Sequence, residues 1–373
     1  VNLFLPPAKS ILNRHLVAAS WTPRFEPYVD AALSQYDLKY WADDSRALLA
    51  ALRQLLKGER DFDFKDGAAP LRFFAARLAL DLKVGESATI DVGPRLIERA
   101  PEDLFAMLSV LGAKAEQKSL TIKIVKQSDS VPAELLVPTA NSSQFASALE
   151  LNLWAEHPHS KVVLGHNVVS KSFYKLSCEV RDWWSKARAN DAQWPAIPPD
   201  AASACAGILY AMGQKRHESF EALSLAQLAL QPDGQFVQCL ERLGFRLSDT
   251  SQGLSVERPQ TILGGLEIDL SDCSDLAPVL AALVAKSEPN VELKLPEHLN
   301  QKESRRIDLI HELQEQLQDH GAHLRFNTHG DHRFVMAVCV AQIWHQVTIK
   351  PSEYLSVHKS YPGFLNLIGQ VSE

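Results

Sequence analysis

Cysteine is scarce in this chain and never sits in a metal-binding or disulfide spacing. The five cysteines, Cys178, Cys205, Cys239, Cys273 and Cys339, are spread widely with no CxxC pair. That excludes a zinc ribbon and a disulfide framework, fits a reducing cytosol, and makes each one a small core hydrophobe. Long apolar runs are also missing. The longest lies within Leu276–Ala285, far short of the ~20 residues a membrane helix needs. The opening Val1-Asn2-Leu3-Phe4-Leu5 has no basic region or cleavage site, so no signal peptide is expected, and the missing Met leaves room for residues upstream. The formal charge is −7 with no polybasic run, which argues against nucleic acid as a partner. Gly264-Gly265 lacks both the P-loop lysine and the dinucleotide spacing. His157-Pro158-His159 and His329-Gly330-Asp331-His332 resemble ligand spacings but have no convincing third ligand nearby, so no metal is expected. Together these absences predict a cytoplasmic protein that stays off membranes.

What is present is a globular composition, 46% apolar and 22% charged, over 373 residues. That length suits two domains better than one core. One pattern recurs: an amphipathic helix, a glycine that stops it, and a short strand. In Pro101–Lys123, Leu104, Met107, Leu108 and Leu111 share a helical face, Gly112 suits the C-terminal cap, and Leu120, Ile122 and Ile124 alternate as in a half-buried strand. The pattern returns at Gly234–Leu247, with Gly244 as the stop, and at Ser304–Phe326, with Gly321 as the stop. Helical periodicity also covers Asp43–Leu56 and Ala69–Leu80. Repeated units in both halves suggest two related domains assembled from several copies. Pro6-Pro7 and the proline-rich Trp194–Asp200 are the linker-like points, as expected of a chain crossing twice between domains.

Several segments combine a cation with a hydroxyl or acid beside a turn. They include Lys9-Ser10-Ile11-Leu12-Asn13-Arg14, Asp43-Asp44-Ser45-Arg46, Gly93-Pro94-Arg95, Asn141-Ser142-Ser143-Gln144-Phe145 and Ser170-Lys171. Further along come Lys302-Glu303-Ser304-Arg305-Arg306, Gly330-Asp331-His332-Arg333 and Lys359-Ser360-Tyr361-Pro362-Gly363-Phe364. Any one of them alone reads as a solvated surface charge. In this order they resemble the signature segments of the 5-enolpyruvylshikimate-3-phosphate synthase family, from residue 6 to about residue 368. The S-S-Q-F, K-E-S-x-R, G-D-H-R and K-S-Y-P-G-F matches are the specific ones.

The resemblance implies an α/β fold (α+β in some schemes) of two inverse α/β-prism domains, each of three βαβαββ units, with the active site in the interdomain cleft. The domains would span 9–197, and 1–8 with 198–373. It implies a transferase of the shikimate pathway, hence of aromatic amino acid biosynthesis, that moves the enolpyruvyl group of phosphoenolpyruvate to the 5-hydroxyl of shikimate 3-phosphate. Both substrates are polyanions, so bringing them together requires fixed cations. Shikimate 3-phosphate would be held by Lys9, Ser10, Arg14, Ser142, Ser143, Gln144, Ser170, Asp275 and Lys302. Phosphoenolpyruvate would be held by Lys9, Arg72, Arg95, Gln144, Arg306, Arg333 and Lys359. Asp275 would accept the proton of the attacking hydroxyl, and Glu303 would protonate the methylene carbon, with Lys9 assisting. No cofactor is implied, because phosphoenolpyruvate is already activated, and a monomer is expected.

The sequence departs from the family at several positions. The N-A-G-T-A-x-R loop reads Asp66-Gly67-Ala68-Ala69-Pro70-Leu71-Arg72, so Ala68 stands for glycine and Ala69 for threonine. A methyl at Ala68 narrows the phosphoenolpyruvate pocket, which predicts insensitivity to glyphosate. Phe173 replaces a tyrosine, Arg305 replaces an aspartate beside Arg306, and the usual asparagine before Lys302 is either His298 or a shifted Asn300. Two other readings remain open here. One is a silent relative that only binds phosphorylated ligands. The other is a UDP-sugar enolpyruvyl transferase, disfavoured because no cysteine precedes Cys178.

Overall fold

The stretch 61–126 folds as one complete βαβαββ unit, and it shows how local sequence builds the rest. The computed structural model describes residues 1–65, 67–97, 101–137, 142–165, 168–187, 194–318 and 325–369; Asp66, Asn141 and Gly321 of the sequence reading lie outside the described residues. The chain divides into two units. One comprises Lys9–Leu38 and Asp43–Ile197; the other comprises Val1–Ala8, Lys39–Ala42 and Pro198–Glu373.

In the first unit α1 (Lys9–Ala19), α2 (Phe25–Gln35) and α3 (Asp43–Leu56) lead into β1 (Asp61–Lys65), α4 (Ala68–Asp81), β2 (Ser87–Val92), the short α5 (Pro94–Ile97) and α6 (Pro101–Val110). The hairpin β3 (Ala113–Lys118) and β4 (Thr121–Lys126) closes a sheet of order β1-β2-β4-β3, with β1 and β2 parallel and the other pairs antiparallel. Ile90 faces Ile122 across this sheet, and Ile122 and Ile124 are buried while Lys123 points out. Leu104, Met107, Leu108 and Leu111 are all buried, as one helical face requires. Ile122 and Ile124 of the expected strand lie in β4, but Leu120 stands exposed in the turn before it, because the chain after Gly112 makes β3 first. The unit continues with β5 (Glu134–Val137), α7 (Gln144–Glu156), β6 (Lys161–Leu164), which pairs parallel with β5, and α8 (Lys171–Ala187).

The second unit runs through α9 (Ala201–Gln214), β7 (His217–Phe220), α10 (Leu225–Leu228), α11 (Phe236–Arg242), β8 (Arg246–Thr250) and β9 (Gly253–Glu257). It continues with β10 (Glu267–Asp269), α12 (Ala277–Val284), β11 (Glu292–Lys294), α13 (Arg306–Gln318), β12 (Arg325–Phe326), α14 (His332–His345) and β13 (Lys350–Pro351). Strands β7, β9 and β8 form an antiparallel sheet, while β10–β11 and β12–β13 are parallel pairs. Helices α9, α12 and α14 are buried along most of their length and pack together as the core. Their apolar residues run all round the helix, which only a central position tolerates.

The full βαβαββ pattern expected three times per unit is complete only at 61–126 among the described residues. The β5–β6, β10–β11 and β12–β13 pairs lack the closing hairpin there.

Gly112 has φ +73°, and a Cβ there would lie 2.1 Å from the Ser128 carbonyl oxygen. Gly112→Ala is therefore expected to destabilise the first unit by roughly 1–3 kcal/mol, read as a lower thermal midpoint. An unchanged midpoint would show that the turn relaxes freely.

Candidate active site

In the first unit the motif residues gather at the starts of helices. Lys9 opens α1, and its Nζ donates to Asp44 Oδ2 at 2.9 Å. One turn on, Arg14 is buried and donates to Ser177 Oγ (2.7 Å), the Ser10 carbonyl (2.6 Å) and the Phe173 carbonyl (3.0 Å). Its guanidinium lies 5.3 Å from the Phe73 ring centre and 5.8 Å from that of Phe173. Burial pushes the Arg14 pKa down to about 9, because these neutral partners do not offset the loss of water.

At the start of α7, Gln144 Oε1 accepts from Arg72 Nη1 at 2.5 Å, and Ser142 Oγ accepts from Gln144 N at 3.2 Å. Arg72 also reaches Ser142 Oγ (3.4 Å) and stacks 4.5 Å from the Phe145 ring centre. Ser143 precedes α7 and donates its hydroxyl to the carbonyl of Ser170, a residue held in the left-handed region at φ +52°. Hydroxyls, a guanidinium and helix-start amides together make an anion-binding arrangement. Arg95 sits exposed on α5, and no described contact joins it to this group.

In the second unit the centre is Arg306, the first residue of α13, 1% exposed. Its Nε and Nη2 donate to Asp331 (2.8 and 3.3 Å), its Nη1 to Asp275 Oδ1 (2.8 Å) and its Nη2 to Glu303 Oε2 (2.7 Å). Burial opposes its charge, but Asp331, Glu303 and Asp275 outweigh that and hold its pKa well above the arginine norm. Arg333 Nη2 donates to Asp275 Oδ2 at 3.0 Å, and Lys359 Nζ lies 3.4 Å from Glu303 Oε1. Asp275 is desolvated, which raises its pKa, yet Arg333, Arg306 and Lys302 together hold it well below the carboxylate norm. The structure thus joins Asp275, Glu303, Arg306, Arg333 and Lys359 through direct contacts, with Lys302 close enough to act on Asp275.

No family model matches the chain. Curated relatives named 3-phosphoshikimate 1-carboxyvinyltransferase do match it over most of its length. The protein of Nitrosopumilus maritimus is 26% identical, covering 77% of this chain and 74% of the relative. That of Thermococcus kodakarensis is 27% identical over 78% and 76%, and that of Halobacterium salinarum 24% identical over 97% and 94%. Among solved structures, EPSP synthase of Acinetobacter baumannii superposes with a TM-score of 0.61 at 15% identity, covering 98% of this chain and 94% of that one. The enolpyruvyl transferase NikO of Streptomyces tendae gives 0.55 at 12% identity, over 99% and 94%. The chain is a homologue of the 3-phosphoshikimate 1-carboxyvinyltransferases, with the EPSP synthase fold.

Against the pattern expected of these homologues, the substitutions have definite placements. Phe173 contributes its carbonyl and ring face to Arg14 in place of a hydroxyl. Arg305 is exposed and pairs with Asp308 at 2.6 Å, so it does not turn Arg306 aside. Asn300 is spent on α13: its Oδ1 accepts from Ile307 N (2.8 Å) and its Nδ2 donates to Asp308 (3.2 Å). His298 is instead the residue near Lys302 and Asp275, and burial together with the Lys302 charge pushes its pKa down to about 4.

Two residues of this cluster receive no role from the motifs, although Asp331 stands inside one of them. Asp331, fully buried, accepts from Arg306, from Ser304 Oγ (2.8 Å) and, as the cap of α14, from Arg333 N (3.0 Å). Asp233 is buried with no hydrogen-bond partner for Oδ1. Burial and the Asp275 charge push its pKa up to about 7, against the pull of Arg333. Nothing in the local sequence pattern marks a buried acid there.

A carboxyl whose pKa is higher folded than unfolded contributes stability that is fully present below the unfolded pKa. That contribution is lost as pH rises through the folded pKa. For Asp233 the window runs from ~4 to about 7. Asp233→Asn removes the ionisation, so it is expected to raise the thermal midpoint relative to wild type at pH 8 more than at pH 5. Equal shifts at both pH values would refute the assignment.

Proposed function

We propose that the chain transfers the enolpyruvyl group of phosphoenolpyruvate to the 5-hydroxyl of shikimate 3-phosphate, with release of phosphate through a tetrahedral addition–elimination intermediate. The observation that carries this reading is the second unit's cluster, where Asp275 and Glu303 are hydrogen-bonded to one buried guanidinium and flanked by Arg333 and Lys359. It supplies fixed cations for a phosphate and a carboxylate together with two carboxyl groups for proton traffic.

Asp275 stays ionised because its cations hold it so, the form in which a proton acceptor must begin. It takes the proton of the attacking hydroxyl as the new carbon–oxygen bond forms at the enol carbon. Glu303 gives a proton to the methylene carbon in the same addition. Elimination reverses that transfer: Glu303 recovers the proton, the double bond reforms and phosphate leaves with the carbon–oxygen bond pair. Glu303 is held by Arg306 and Lys359, so it gains a proton more readily once anionic substrates engage those cations. Shikimate 3-phosphate is assigned to Lys9, Ser10, Arg14, Ser142, Ser143, Gln144, Ser170, Asp275 and Lys302, the serines donating to its phosphate. Phosphoenolpyruvate is assigned to Lys9, Arg72, Arg95, Gln144, Arg306, Arg333 and Lys359.

Among the described residues no helix is long and apolar enough to cross a membrane, and no group of His, Cys, Asp and Glu side chains could hold a metal ion. A monomer in the cytoplasm is the placement that accompanies this reading, and the five cysteines being free fits a reducing compartment.

Phosphate release from phosphoenolpyruvate should require shikimate 3-phosphate and fail with a UDP-sugar; no release with either acceptor from folded protein would overturn the reading. Glu303→Gln should cut turnover by at least ~100-fold while leaving acceptor binding intact, and undiminished turnover would reject its role. Ala68 is buried at the start of α4, where its methyl takes space that glycine leaves open. Glyphosate is therefore expected to inhibit weakly, and competition at low micromolar concentration would contradict the narrowed pocket.

A further inference from the structure

The paired acids at Asp43-Asp44 are a motif to which the reaction above assigns no part. We propose that Asp44 is a positioning residue that fixes the ammonium of Lys9 against the loop before α4, an inference that rests on the role given to Lys9 above. Asp43 and Asp44 both lie in the first turn of α3, but only Asp44 is buried. Asp43 is exposed and pairs with Arg46 one turn along the same helix. Asp44 Oδ2 instead accepts from Lys9 Nζ at 2.9 Å. Its other oxygen faces Gly67, where an added Cβ would lie 3.1 Å from Oδ1. One carboxylate therefore bonds the α1 lysine and occupies the space into which a side chain at residue 67, just before Ala68, Ala69 and Arg72, would extend.

Helix electrostatics explain why such a tie is needed. Lys9 is the first residue of α1, an 11-residue helix with no acid in its first turn. A cation there meets the positive end of the helix dipole and is disfavoured. A carboxylate in the first turn of α3 sits where the dipole favours it, and α3 packs on α1. Asp44 thus places a stabilised negative charge where Lys9 needs one. It restrains a long side chain and leaves its ammonium beside a buried carboxylate.

The test compares Asp44→Asn, which keeps the shape and removes the charge, with Asp43→Asn as the neighbouring control. Acetylation of Lys9 by acetic anhydride, quantified by peptide mass spectrometry, should be several-fold faster in D44N and unchanged in D43N. Turnover should fall at least ~10-fold in D44N, mainly in kcat/KM for phosphoenolpyruvate. In a Lys9→Ala background the same change should cost less than ~3-fold, since partners in one contact are not additive. If D44N does not fold, Asp44→Glu serves: its longer arm should also speed Lys9 acetylation and shift kcat/KM for phosphoenolpyruvate. Unchanged acetylation, or effects that multiply in the double variant, would overturn the proposal. If wild type shows no turnover while acetylation responds as described, the enolpyruvyl-transfer reading fails and the Lys9–Asp44 tie stands.

Discussion

A guanidinium taken out of water must have its five N–H groups and its charge met by the protein, and Arg306 meets that requirement with Asp275, Glu303 and Asp331. Removing one member of such a group typically costs 3–5 kcal/mol, because an uncompensated charge stays behind. The rest of the second unit's cluster follows from this one demand. Asp331 caps α14 while it holds Arg306, so the helix start and the buried charge are fixed by a single side chain. Asp275 shares its two oxygens between Arg306 and Arg333, and Glu303 divides its own between Arg306 and Lys359. The acids hold the cations in place without substrate. A polyanion then enters cations that are already oriented, with little reorganisation left at the moment of reaction.

The first unit meets the same need with neutral partners. Arg14 is surrounded by a hydroxyl, two carbonyls and two aromatic faces, and Arg72 by Gln144, Ser142 and the Phe145 ring. Such partners orient a guanidinium without cancelling it. The depressed pKa of Arg14 is the sign of charge left uncompensated by burial, which a ligand carboxylate would relieve. Under the proposed reaction both units would supply cations to the anions, while the proton traffic would fall to the acids of the second unit alone.

Much of this was legible from local pattern. Helix faces such as Leu104, Met107, Leu108 and Leu111, and the stop at Gly112, depend on neighbours within a few residues, so periodicity exposes them. The hairpin of β3 and β4 was compressed into one strand in the reading because Ala113–Lys118 carries little apolar alternation. The charged members of the cluster were found because each lies beside a recognisable motif. Asp233 and the hub role of Asp331 were not, since burial and contacts over long chain separations have no local signature. Arg306 bonds Asp275 and Asp331 across 31 and 25 positions. Likewise, the sequence puts His298 at the place of the usual asparagine with Asn300 as a shifted substitute, and the bonds of Asn300 to the start of α13 have no local signature.

The two alanines before Arg72 gain a meaning beyond lost space. Gly67 stands at the N-cap of α4 with no side-chain hydrogen bond to the helix, and Ala68 and Ala69 carry no hydroxyl that could donate to a ligand. A threonine there would provide one more oriented donor. Without it, recognition at this end of α4 falls to backbone amides and to the side chains that border them, Arg72 on the helix and Lys9 through Asp44. Backbone amides are placed by the loop, and the loop is placed partly by the close approach of Gly67 to Asp44. The substitutions therefore raise the demand on the Lys9–Asp44 pair: with fewer hydroxyls to share the task, the position of one ammonium must be held more tightly.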